Sequence, residues 1–154
     1  MKILICGLPN SGKTWLAMRM AGFFNCPHFN ADKVRAMVND WSFDMKARFK
    51  QANRLKAMAD FEHSPAGGNA RLTITDFVCP TAVTRAMFQP GMIIYMNTLA
   101  VMGIESPYED TNNIFEPPED AHIIVESLMD DFEIYKMCKR IKEEFKLQVE
   151  LDDF

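Results

Sequence analysis

Lys2-Ile-Leu-Ile-Cys-Gly-Leu-Pro-Asn-Ser-Gly-Lys-Thr14 is the stretch from which the rest of the chain is read. The apolar run Ile3–Cys6 has the character of a buried parallel strand. It leads into Gly7-Leu8-Pro9-Asn10-Ser11-Gly12-Lys13-Thr14, which satisfies G-x-x-x-x-G-K-[ST] at every fixed position. Gly7 and Gly12 let the backbone turn so that successive N–H groups face one phosphate. Lys13 reaches toward β- and γ-phosphates, and the Thr14 hydroxyl suits Mg²⁺. Trp15–Ala21 follows as a helix whose N-terminus faces the anion. Strand, loop and helix together are the context that the motif requires. They point to a nucleoside triphosphate, ATP with Mg²⁺.

The 154 residues suffice for one domain with a full core, which we place at residues 1–148, followed by an acidic tail at 149–154. A hydrophobic fraction of 48% and a charged fraction of 25% are those of an ordinary globular chain. The net charge of −4 argues against bulk nucleic-acid binding. Charge is nevertheless uneven: residues 32–58 carry seven Lys/Arg against three Asp/Glu, and no Lys or Arg lies between Arg85 and Lys136. An anionic acceptor would therefore meet the first half of the chain. The four cysteines are scattered without a C-x-x-C pair, which suits reduced thiols in a cytoplasmic protein. No run reaches the ~20 apolar residues of a membrane span.

Further along, Pro27–Ala31 reads as a second strand, and Asp32 as a candidate cap for a helix to about Val38. Residues 44–61 form a longer helix with an apolar stripe of Met45, Phe49, Ala52 and Met58/Ala59, while Arg48 and Gln51 share another face. Arg71–Val78 is a β-branched strand, Thr81–Phe88 a short helix and Met92–Asn97 a strand. Residues 103–120 read as an irregular acidic loop, Ala121–Glu126 as a last strand, 130–146 as a last helix and Glu150–Phe154 as a frayed end. Strands alternating with helices predict an α/β fold, a mainly parallel sheet of about five strands with helices on both faces. Ligands then sit beyond the carboxyl ends of the strands.

In this order of segments the chain resembles the adenylylsulfate kinases, P-loop enzymes that phosphorylate the 3′-hydroxyl of adenylyl sulfate using ATP and Mg²⁺. Asn30-Ala31-Asp32-Lys33-Val34-Arg35 is similar to the family's D-G-D-N-V-R, with Asn30 in place of the first Asp. Met37–Leu55 echoes G-L-N-x-D-L-G-F-S-x-x-D-R-x-E-N-I-R-R one residue shorter, aligning Asn39, Asp40, Phe43, Arg48, Gln51 and Arg54. Phe77-Val78-Cys79-Pro80 echoes F-I-S-P, with Arg85 five residues beyond the proline. Gly103-Ile104-Glu105-Ser106-Pro107-Tyr108-Glu109 is close to G-I-D-S-P-Y-E. One departure stands out. The family carries a basic lid before this last segment, where here only Leu99–Met102 intervene.

The resemblance implies a P-loop kinase fold and a phosphotransferase. Asp32 would orient the acceptor hydroxyl and take its proton, or it is simply a helix cap. Asp76, ending its strand, would help Thr14 hold Mg²⁺, or it bonds the adjoining loop. Arg35, Arg48 and Arg85 would bind acceptor anion or transferring charge, with Gln51 beside them, or they are ordinary helix charges. Phe43 would stack on a base, or packs between helices. Lys13, Asp32 and Arg48 are the catalytic candidates. His28, His63 and His122 are isolated and receive no chemistry. The acceptor expected is a small molecule or nucleotide of the adenylyl sulfate kind. A nucleoside, a modified base or a polynucleotide end remains open, as do a homodimer and a nucleotide-binding regulator without transferase activity.

Overall fold

A computed structural model describes residues 1–106 and 108–154. Five strands, β1 (Lys2–Gly7), β2 (His28–Asn30), β3 (Thr73–Asp76), β4 (Met92–Met96) and β5 (Ile123–Val125), form one sheet in the order β2-β3-β1-β4-β5. Every pairing is parallel. The helices are α1 (Lys13–Phe24), α2 (Ala31–Val38), α3 (Met45–His63), α4 (Ala82–Phe88), α5 (Thr98–Met102), α6 (Glu109–Ile114) and α7 (Asp131–Glu144). No described helix is long and apolar enough to cross a membrane.

Alternation along the central strand divides the core. Ile3 and Ile5 point to one face, where they meet Leu16, Met20, Ile134 and Ile141 of α1 and α7. Leu4 and Cys6 point to the other, against Val34, Leu55 and Phe88 of α2, α3 and α4. A strand wetted on neither face is therefore apolar at both alternations. Each fully buried Ile or Leu contributes roughly 1.5–3 kcal/mol relative to exposure.

Three readings are corrected. The buried face of α3 is Ala47, Arg48, Gln51, Ala52, Leu55 and Ala59; Ala52 and Ala59 of the expected stripe lie on it, whereas Met45, Phe49 and Met58 are only half-buried. Hydrophobicity misplaced the face because two of its buried positions are polar and serve neighbouring loops. The stretch 103–120 is not wholly irregular, since it contains α6. The tail is not frayed. Leu151 packs on the α1–α7 core, and the Asp152 amide donates to the Phe23 carbonyl at 2.8 Å. Phe154 packs against the rings of Phe23, Phe132 and Tyr135.

Parallel pairing sets the carboxyl ends of all five strands along one edge. The register puts Asn30 opposite Asp76, and Gly7 opposite Met96. That edge carries the cleft described next.

Candidate active site

The cleft has a volume of about 1170 Å³. One wall is the turn from β1 into α1. Gly7 is obligatory there, because a Cβ would lie 2.7 Å from the Met96 carbonyl oxygen. Gly12 caps α1 in the left-handed region, at φ 93°. Pro9, Asn10, Gly12, Lys13 and Thr14 line the cleft, whereas Gly7, Leu8 and Ser11 do not. The loop is pinned by Thr98, whose hydroxyl donates to the Ser11 carbonyl at 2.7 Å.

Lys13 is nine-tenths buried, and its Nζ donates to the Leu8 carbonyl at 2.8 Å. Burial pulls its ammonium down to about 8, against the opposing pull of Asp76, Cys6 and Asp32. Behind it lies a compact polar cluster. Thr14 Oγ1 donates to Asp76 Oδ1 at 2.8 Å. Asn30 Nδ2 donates to the same carboxylate oxygen at 3.0 Å and approaches Thr14 Oγ1 at 3.1 Å. His28 Nε2 bonds the other oxygen, Oδ2. Asp76 is thus buried with both oxygens engaged. Thr14 and Asp76 are the residues here that could hold a hydrated Mg²⁺, an ion that takes few protein ligands and keeps water and phosphate oxygens.

The opposite wall is built by α2, α3 and the loop between them. Asp32 lines the cleft, exposed, and accepts no hydrogen bond among the described residues. It does not cap α2. The cap is Asn30, whose side-chain oxygen accepts from the Lys33 amide at 3.0 Å, leaving the Asp32 carboxylate uncommitted. Arg35 and Arg48 line the cleft and also hold its aromatic loop. Arg35 donates to the Asp40 and Ser42 carbonyls at 3.1 and 2.7 Å and stacks on Phe43. Arg48 donates to the Phe43 carbonyl at 2.8 Å and to Thr111 Oγ1 at 2.9 Å, joining this wall to α6. Gln51 donates to the Ala31 carbonyl at 2.9 Å, fixing the start of α2. Trp41 and Phe43 are half-exposed on the wall, and Tyr108, Glu109 and Asp110 form the roof.

Arg85 is not brought to the cleft. It is buried and donates to the Cys79 and Glu116 carbonyls at 3.0 and 2.8 Å, so its fork holds backbone. His28 and the double role of Asn30 were missed. The signal was present in strand periodicity: His28 and Asn30 are two apart on one strand, hence on one face, and Asn30 is in register with Asp76.

A parallel five-strand sheet, helices on both faces and a Gly-x-x-x-x-Gly-Lys-Thr loop at its carboxyl edge define the P-loop kinase fold. Among solved structures, the Mycobacterium tuberculosis APS kinase CysC in complex with AMPPNP and APS is similar at a TM-score of 0.69 and 16% identity, over 94% of this chain and 96% of that one. An unliganded sugar kinase from Janibacter sp. HTCC2649 is similar at 0.64 and 14% identity, over 96% and 95%. The shikimate kinase of Aquifex aeolicus is similar at 0.62 and 15% identity, over 95% and 96%. No protein-family model matches the sequence, and neither does any curated protein.

Proposed function

We propose that this chain is an ATP- and Mg²⁺-dependent kinase that phosphorylates a hydroxyl of a small acceptor carrying a planar ring, of the adenylyl sulfate kind. The observation that carries the reading is one cleft lined on one wall by residues of the Gly7–Thr14 loop and, on the other, by the uncommitted Asp32 carboxylate together with Arg48, Gln51 and Phe43. The similarity to kinases of small alcohols supports it. When bound, Mg²⁺ would neutralise charge on the β- and γ-oxygens, with Thr14 and Asp76 as its protein partners. Lys13 and the loop amides hold the triphosphate. Asp32 aims the acceptor hydroxyl and accepts its proton. Arg35 and Arg48 keep Phe43 against the acceptor ring, with donors left over for an acceptor anion. The four free thiols suit a cytosolic setting.

A second reading of the acceptor rests on the roof. Glu109 and Asp110 line the cleft, and no Lys or Arg lies between Arg85 and Lys136 to offset them. They favour an uncharged ring-bearing alcohol, such as a nucleoside, over an acceptor as anionic as adenylyl sulfate.

The test is ADP release measured with adenylyl sulfate, nucleosides, nucleotides and 5′-hydroxyl or hydroxymethylated oligonucleotides. At least one acceptor should stimulate turnover. Asp32→Asn should then lower kcat by about 10²–10⁴-fold while ATP binding stays within twofold of wild type, as for a general base. ATP binding without stimulation by any acceptor would turn the reading to a nucleotide-dependent regulator.

A further inference from the structure

Trp15 plays no part in the phosphate cradle or the acceptor wall. It is the third residue of α1, directly after Thr14, and it lines the cleft with half its surface exposed. A helix position so close to a sheet edge would ordinarily be polar or buried. The indole is also held from behind. The Arg19 guanidinium stacks on one face of the ring. Arg19 is itself fixed by Asp131 of α7 at 2.8 Å and by the Trp15 carbonyl at 3.3 Å. The free face of the ring is therefore presented in a set orientation, beside the last residues of the cradle.

Leu128, in the loop between β5 and α7, is exposed and lies over Gly12, so close that a Cβ there would meet its Cδ2 at 3.0 Å. A triphosphate held by Gly7–Thr14 has two directions in which to lay its nucleoside. The side toward α2 and α3 holds Asp32, Arg48 and Phe43. The side toward α7 holds Trp15 and Leu128.

On the premise of the donor site proposed above, we infer that Trp15 is the stacking platform for the base of the donor nucleotide. A guanidinium on the far face of the indole fixes the ring without side-chain entropy left to lose, and a base lies on its near face. Such stacking is tolerant of base identity, because every base offers a π-face.

The experiment separates base from phosphate. ATP and inorganic tripolyphosphate are titrated by calorimetry into the wild type, Trp15→Ala and Trp15→Phe. Loss of one stacked base should weaken ATP by about 5- to 150-fold in Trp15→Ala, with tripolyphosphate unchanged and Trp15→Phe recovering most of the affinity. In a Trp41→Phe background Trp15 is the sole tryptophan, and ATP but not tripolyphosphate should quench its fluorescence. Equal ATP affinity in Trp15→Ala and wild type would overturn the platform and leave the kinase reading standing. Equal losses for ATP and tripolyphosphate would also overturn it, since the substitution would then have damaged the cradle. A wild type that binds neither ligand would overturn the donor site and the platform together.

Discussion

At the scale of single residues, the cradle lysine carries a pH dependence. Burial brings Lys13 below its ordinary 10.5 to about 8. The folded chain is thus penalised for the charged lysine below about pH 8, and that penalty is lifted as pH rises toward 10.5, so this residue adds stability across that window. Phosphate binding works in the opposite sense, because a bound anion holds the proton on Lys13. On the kinase reading, nucleotide binding above pH 8 should take up one proton, and affinity should fall by up to about tenfold per pH unit. Titrating ATP from pH 7 to 9.5 should show this fall in the wild type and a flat profile in Lys13→Arg, whose guanidinium stays charged. A wild-type profile that stays flat would mean that the lysine never meets the phosphates. Lys13 and Thr14 were legible from the motif alone. Arg85 was not, because the carbonyls it binds, of Cys79 and Glu116, come from segments that only the fold brings together.

At the scale of elements, the strand ends hold the site. All five strands were legible to within a few residues, β1 and β4 most directly, since apolar runs between turn residues specify buried parallel strands. The buried face of α3 was legible only at Ala52 and Ala59, because Arg48 and Gln51 also sit on it and carry no hydrophobic signal. Asn30 joins three elements: it caps α2, lies in β2 and donates to Asp76 of β3. Asn30→Asp would keep a capping oxygen but replace the donor with a second carboxylate beside Asp76. Losing a hydrogen bond to a charged group costs about 1.5–3 kcal/mol. Without divalent cation, Tm should fall by several degrees, at about 2–4 °C per kcal/mol for a chain of this size. Added Mg²⁺ should restore more of Tm in Asn30→Asp than it adds to the wild type. An equal Mg²⁺ response in both would place the ion away from this cluster.

At the scale of the whole molecule, α1 and α7 are clasped by the chain's last residues. The resemblance to known kinases reached most of the chain but not this end, and an acidic composition gave no sign of its docking. Deleting residues 150–154 removes the Leu151 and Phe154 contacts and the Asp152 amide bond. The expected loss is about 1–3 kcal/mol, from modest apolar burial and aromatic pairing. A thermal melt should report a Tm lower by a few degrees to about ten, with kcat held; an unchanged melt would show that the docking contributes nothing to stability. The clasp of Thr98 on Ser11 acts over a longer span. Thr98 begins the segment that roofs the cleft, and that segment reaches Arg48 through Thr111. A shift of the roof relayed along this segment would reach the peptide between Ser11 and Gly12. On the kinase reading, donor and acceptor should consequently bind with synergy, each lowering the other's apparent dissociation constant by the same factor, as reciprocity demands. Thr98→Val should bring that factor toward one, with the order of substrate addition becoming independent.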